Sequence, residues 1–325
     1  MAGTRGHLGN EELFGVVRAA FGERELVSVE RLRGGSKKGV YRLMLDDRTT
    51  SIAYVWNADE DYWPDAASQG QSDPFGHATG LDLFEAAHAA LSSVAVRIPR
   101  VVTLDRSRSL LAGDVAVLED LRGGTLEALC EQDPQRARQV LARLGDAVRA
   151  MHDSRRDRYG RPGVGRAGST EPVEHIVLRR ALGHLAEAAA RVDRIAAVEH
   201  RLLDLLHERY AVVVPRTEYG FIHGELGADH VLVDDHDEPV LIDIEGVMFF
   251  DIEWEHVFLE LRFGGNYSYL RRDDLDSDRV RFYRLAMYLS LVAGPLRLLD
   301  GDFPDRPAML DIVEQNIGRT LAQLS

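Results

Sequence analysis

The densest set of reactive side chains lies in Phe221-Ile222-His223-Gly224-Glu225-Leu226-Gly227-Ala228-Asp229-His230-Val231-Leu232-Val233, followed by Val240-Leu241-Ile242-Asp243-Ile244-Glu245-Gly246. Two short apolar strands, Val231 to Asp234 and Pro239 to Asp243, flank the acidic turn Asp235-His236-Asp237-Glu238. A polar loop sits at one end of this hairpin and a carboxylate just past the other, an arrangement that brings Glu225, His230 and Asp243 close together. Carboxylates and an imidazole at close quarters favour a cation. A divalent metal would relieve the repulsion between Glu225 and Asp243 and could in turn hold phosphate oxygens. A hairpin with a merely solvated turn is the competing explanation, and it does not account for both segments in this order.

The elements that must position these residues follow from periodicity. Helical spacing over Glu11 to Phe21 gives way to strand-like segments at Leu26 to Arg33, Val40 to Leu45 and Thr50 to Trp56, which read as an antiparallel meander. The first connection is Gly34-Gly35-Ser36-Lys37-Lys38-Gly39 and the second is the turn Asp46-Asp47. The polar segment Asn57 to Gly80 is too long for a simple turn, which raises the question of a lid over residues 59 to 80. Leu81, Phe84, Ala87, Ala90 and Leu91 share one helical face, and Arg97 to Leu104 and Asp114 to Glu119 return to strands. Past Gly123-Gly124 the chain becomes mainly helical: Thr125 to Glu131, Pro134 to His152, Pro172 to Ala190, Ile195 to Tyr210, then from Ile252 and through Arg279 to Leu299. Strands followed by helices imply an α+β architecture divided near residues 120 to 124, with a small sheet lobe (1–120) and a larger helical lobe (121–325).

With these segments in order, the sequence resembles the aminoglycoside phosphotransferase family of kinase-like enzymes, whose catalytic loop reads H-G-D-x-x-x-x-N and whose metal segment reads I-D-F/W. His223-Gly224, the spacing from Glu225 to His230, and Ile242-Asp243 all match. The resemblance implies a two-lobed protein-kinase-like fold with a small antiparallel-sheet N-lobe and a nucleotide site between the lobes. Gly34, Gly35, Ser36, Lys37, Lys38 and Gly39 stand where the family places its nucleotide loop. Val117-Leu118-Glu119-Asp120-Leu121 looks like the hinge that hydrogen-bonds a purine, with Glu119 and Leu121 as its contacts, and Glu85 lies on the helix that normally supplies a lysine's partner. The match extends over roughly residues 26 to 265.

This chain departs from the family pattern at three places. Glu225 replaces the catalytic aspartate, His230 replaces the metal-binding asparagine, and Tyr54 stands about where the third strand should carry the lysine that holds the α and β phosphates. Glutamate can orient a hydroxyl, although its extra methylene moves the carboxylate by about 1.5 Å. Imidazole suits magnesium less well than an oxygen ligand, so His230 either completes the metal site directly or bonds a metal-bound water. Glu85 loses its expected partner, and Lys37 or Lys38 is a candidate to reach the phosphates instead, a lysine stem spanning about 6 Å. His223 is expected to be structural.

Composition narrows the class. The chain has 325 residues and a formal charge of −14, with no basic run interleaved with aromatics, so nucleic acid is not expected as a partner. No apolar stretch reaches the length of a membrane span and no signal pattern opens the chain; with a single cysteine, Cys130, expected as a small core residue, a cytoplasmic location is expected. The expected activity is transfer of the γ-phosphoryl of ATP or GTP, with magnesium or manganese, to a hydroxyl of a small molecule. Glu225 would be catalytic, and His230 and Asp243 would hold the metal. Asp251, Glu253, Glu255 and Glu260, interleaved with Trp254 and Phe258, suit a cationic, aminoglycoside-like acceptor of the antibiotic-resistance type, though Trp254, Phe258 and Leu261 also have the spacing of a helix core. The runner-up is an inactive pseudokinase that binds nucleotide or acts as a scaffold.

Overall fold

The computed structural model describes residues 5–63, 73–163 and 171–324. The centre of the long segment 59–80 and the end of the Arg/Gly-rich stretch 153–170 therefore lie outside the described residues. Along the chain, α1 (Asn10–Phe21) precedes β1 (Leu26–Arg31), β2 (Gly39–Leu45) and β3 (Thr50–Trp56). Next come α2 (Leu81–Ser93), β4 (Val101–Asp105), β5 (Asp114–Glu119), α3 (Leu126–Gln132), α4 (Pro134–Asp153) and the two-residue β6 (Arg155–Arg156). Then follow α5 (Val173–Ala189), α6 (Asp193–Ala196), α7 (Glu199–Ala211), β7 (Tyr219–Ile222), β8 (Val231–Val233), β9 (Pro239–Leu241) and β10 (Met248–Phe250). Helices α8 (Ile252–Phe263), α9 (Ser277–Asp300) and α10 (Arg306–Leu321) complete the chain. Among the described residues no helix is long and apolar enough to cross a membrane.

Contacts divide the chain into two compact units that interleave along the sequence. The first comprises residues 1–63, 77–140 and 229–245, and the second 64–76, 141–228 and 246–325. In the first, a five-stranded antiparallel sheet runs in the order β1-β2-β3-β5-β4. Strict alternation along β2 sends Tyr41, Leu43 and Leu45 to one face, where they pack with Leu13, Val16 and Val17 of α1 and with Ala53, Val55, Val115 and Val117. Each large side chain removed from water in this way contributes about 1.5–3 kcal/mol. The hairpin β8–β9 joins the same unit through Val233 N–H to the Gly124 carbonyl and Leu241 N–H to the Arg97 carbonyl.

The second unit is mainly helical, built on α5, α7, α8, α9 and α10. The sequence reading made Ile195 to Tyr210 one helix, but the chain breaks into α6 and α7 at Ala197-Val198. It also missed α10 and the small sheet β10-β7-β6, whose strands are too short to show a period. Cys130 is half-buried on α3 rather than a core residue.

Candidate active site

In the first unit the site grows from the β2–β3 register. Val40 pairs with Tyr54 and Gly39 with Val55, so one further step places Lys38 opposite Trp56 and on the same face as Tyr54. The loop before it is forced tight. Gly34 and Gly35 have φ of 92° and 78°, and a Cβ on Gly35 would lie 2.7 Å from the Lys38 carbonyl oxygen. The turn closes with Leu32 N–H to the Val40 carbonyl, while Tyr62 N–H and Trp63 Nε1 bond the Ser36 carbonyl and hydroxyl.

Lys38 thus enters the interior of its unit with only 5% of its side chain exposed. Its Nζ lies 2.6 Å from Asp243 Oδ1 and 2.7 Å from Glu245 Oε1, and 4.9 Å from the centre of the Tyr54 ring. Burial alone would lower the lysine's pKa, but Asp243 and Glu245 outweigh it and hold the group well above its ordinary value. For Asp243 burial pushes upward, and Lys38, His230 and Lys37 together carry it far below the usual carboxylate range. Both partners are therefore charged at neutral pH.

The hairpin delivers the other two groups. Ile242 N–H donates to the His230 carbonyl, extending the β8–β9 ladder by one rung and setting Asp243 beside His230. His230 Nε2 lies 3.9 Å from Asp243 Oδ2 and 3.8 Å from Asp229 Oδ2. Asp243 itself has φ of 59°, a left-handed conformation in which strain is retained when neighbouring contacts over-determine it. Among the described residues no set of three or more His, Cys, Asp or Glu side chains converges as a metal cage. One carboxylate beside an imidazole nevertheless fits a cation that arrives with phosphate oxygens, since magnesium takes one or two protein ligands and completes its shell from water and substrate. Asp243 and His230 could hold it so.

Glu85, expected to have lost the partner of its helix, finds another. Glu85 is not left without a partner: it pairs with Arg106, which also donates to Asp82 at 3.2 Å. Tyr54, Trp56 and Phe84 fill the space with an edge-packed aromatic cluster, ring centres 5.6–6.0 Å apart. In the segment expected to be the purine-binding hinge, the Glu119 backbone N–H is already bonded to the Arg100 carbonyl, and its carboxylate to Arg97 at 2.7 Å. Leu121 is half-buried just past β5.

In the second unit Glu225 is exposed, at the tip of the loop that follows β7. That loop is held from beneath by the fully buried Glu255 of α8. Its Oε1 accepts from His223 N–H at 2.7 Å and Gly224 N–H at 2.9 Å, and its Oε2 lies 2.6 Å from His152 Nε2. Gly224 has φ of 88°. Burial would raise the Glu255 pKa, but the bond from His152, helped by the His152 and His223 charges, brings it below the ordinary value. The neighbouring His256, its Nδ1 3.1 Å from the Tyr267 hydroxyl, is pushed down to about 3 by burial and by His152.

Both shifts make the fold less stable as the pH falls, each in its own range. Glu255, depressed, contributes stability that is present above the ordinary carboxylate range and is lost as the pH falls below it. His256 stays neutral in the fold, so the unfolded chain binds the extra proton below about pH 6.5 and stability falls as the pH drops. Between pH 6.5 and 5 this amounts to about 2 kcal/mol. Urea unfolding at pH 7 and pH 5 is expected to show that loss in the wild type and a smaller one in His256→Asn; equal losses would contradict it.

The acidic residues read as a cation cage are otherwise engaged. Asp251 is buried against Arg279 and the Tyr283 hydroxyl, Glu253 takes a two-pronged bond from Arg216 at 2.6 and 2.7 Å, and Glu260 pairs with Arg284. Trp254 is 9% exposed and packs on Phe75, Phe250 and Tyr283. Of the three residues whose helical spacing suggested a core, Trp254 is buried, whereas Phe258 and Leu261 are half-buried.

Comparisons with known proteins accord with this geometry. A search of curated proteins finds no match. Among solved structures, a thermostable mutant of aminoglycoside phosphotransferase APH(4)-Ia shares 16% identity over 96% of this chain and 97% of that one, with a TM-score of 0.67. Spectinomycin phosphotransferase APH(9)-Ia, in complex with ADP and spectinomycin, shares 12% over 98% of each chain with a TM-score of 0.64. A putative fructosamine-3-kinase from Thermobifida fusca shares 19% over 96% and 99%, with a TM-score of 0.52. The fold is therefore the kinase-like fold of aminoglycoside phosphotransferases, with an antiparallel-sheet N-terminal region and a helical C-terminal region. The model of the phosphotransferase enzyme family matches residues 71–259, more than half the chain, and the protein belongs to that family of kinase-like enzymes.

Proposed function

We propose that the protein transfers the γ-phosphoryl group of ATP to a hydroxyl of a small molecule. The observation that carries this reading is the buried Lys38 ammonium, bonded to both Asp243 and Glu245 on the face where the family's third-strand lysine is replaced by Tyr54. A chain that had drifted into a scaffold would have no reason to supply that charge from a different strand. In the proposed mechanism Lys38 contacts the α and β phosphates as a point charge, and the loop Gly34–Gly39 covers them. Leu121 offers backbone bonds to the purine, a role for which the Glu119 N–H is already spent. Asp243 and His230 hold a magnesium ion, which when bound neutralises phosphate charge. Glu225 accepts the hydrogen bond of the acceptor hydroxyl and orients it, with Glu255 fixing the backbone of the preceding His223-Gly224.

Of the structural relatives, APH(4)-Ia has been captured with AMP-PNP and hygromycin B, and LicA with AMP. An adenine nucleotide and a hydroxylated small molecule are the corresponding ligands proposed here. A mass-spectrometric screen with magnesium and ATP tests the reading. ADP formed in step with a phosphorylated acceptor supports it, and ATP bound without transfer to any acceptor would favour a nucleotide-binding module.

A further inference from the structure

Several arginines packed into the second unit have a carboxylate in contact: Arg279 with Asp251, Arg216 with Glu253, Arg180 with Asp73. Arg161 does not. Among the described residues its guanidinium makes one hydrogen bond, from Nη2 to the Gly76 carbonyl; its Nε is buried without a partner, and no carboxylate stands at ion-pair distance. A half-buried guanidinium whose Nε is cut off from both water and hydrogen-bond partners carries a desolvation cost that an arriving anion would offset.

The surroundings fit an incoming anion. Arg180 of α5 donates from Nη1 to Asp73 at 2.9 Å, and its guanidinium lies 5.1 Å from the centre of the Phe75 ring. The segment Asp73–Gly76 thus ties the two arginines to one place; both feel the charge of Asp73, and Arg161 also feels that of Arg180. Arg161 also feels Glu225, the carboxylate assigned to the acceptor hydroxyl. Burial outweighs those acidic neighbours and pushes the Arg161 pKa down, the sign of a charge not yet compensated. With a formal charge of −14, the protein repels anions at long range and needs a local cation to hold one.

We propose that Arg161, with Arg180 beside it, docks an oxyanion of the acceptor, a carboxylate or phosphate monoester on the same small molecule as the hydroxyl that Glu225 orients. This inference rests on the phosphotransferase reading. It replaces the polycationic acceptor suggested by the acidic residues of α8, which are already paired with arginines and histidine. Guanidinium groups suit the task because their fork matches both kinds of oxyanion.

The test is thermal unfolding of the full chain saturated with ADP and magnesium, so that nucleotide phosphate sites are filled, against four probes of one scaffold. These are glycerate, glycerol 3-phosphate, glycerol and 3-aminopropane-1,2-diol. Stabilisation by either anion, but not by the neutral or cationic probe, is expected; the preferred anion identifies carboxylate or phosphate as the group. R161Q is expected to weaken the anion by about tenfold or more while leaving ADP affinity within about twofold, and R161K to retain more than R161Q. R180Q, at a side chain 24% exposed, gives a second variant should R161Q fold poorly. The proposal is overturned if the amine stabilises as well as the anions, if both variants bind the anions as the wild type does, or if no probe binds the ADP-loaded protein. Absence of ADP binding itself would instead remove the phosphotransferase reading on which the proposal stands.

Discussion

Lys38→Ala is expected to lower kcat/KM for phosphoryl transfer by about a hundredfold to a thousandfold, whereas Lys37→Ala is expected to change it by less than about threefold. The asymmetry follows from where the two side chains go. Lys38 is buried, and its ammonium is the only one bonded to both Asp243 and Glu245 among the described residues. Lys37 is half-buried and acts on Asp243 only through its charge. Removing Lys38 takes a preorganised cation from the phosphates and leaves two carboxylates facing each other, so the Asp243 pKa should rise and activity should shift to higher pH. Steady-state kinetics over a pH range reads both effects. Equal losses for the two lysines would mean that the loop acts only as a cover.

Part of this was legible in the sequence and part was not. Tyr54 at the lysine position and two lysines in the adjacent loop were visible, and so were both candidates for the replacement. Choosing between them required the β2–β3 register, because alternation sends neighbours to opposite faces and a one-residue error reverses the answer. The hairpin carrying His230 and Asp243 was also legible, since its strands are apolar and its turn acidic. Glu255 was misread as part of a substrate surface. Acid residues at helical spacing look alike whether they meet solvent or a buried histidine 103 residues away, and only tertiary packing distinguishes them. Arg161 gave no signal at all, as one arginine in an arginine-rich stretch. The strands of the small sheet were too short for period to reveal.

Glu225→Gln is expected to reduce kcat by about a hundredfold to ten-thousandfold while nucleotide binding stays within about twofold. Glutamine keeps the size and loses the charge proposed to orient the acceptor hydroxyl and accept from it. Because Glu225 is exposed at a loop tip, the substitution should cost little stability, so thermal unfolding provides the control. Glu225→Asp is informative in a different way. Shortening the side chain pulls the carboxylate back by about 1.5 Å, and a displacement of that size should cost about a hundredfold if the acceptor is seated for glutamate. An aspartate variant more active than the wild type would instead indicate that Glu225 is a degraded catalytic residue.

The most direct test of the account is calorimetric titration of ATP with and without magnesium into the wild-type protein and into Asp243→Asn. Binding is expected to be strengthened by magnesium by about tenfold or more in the wild type and no longer strengthened in the variant, as follows if Asp243 holds the metal as proposed. Absence of ATP binding, or binding indifferent to both magnesium and the substitution, would contradict it.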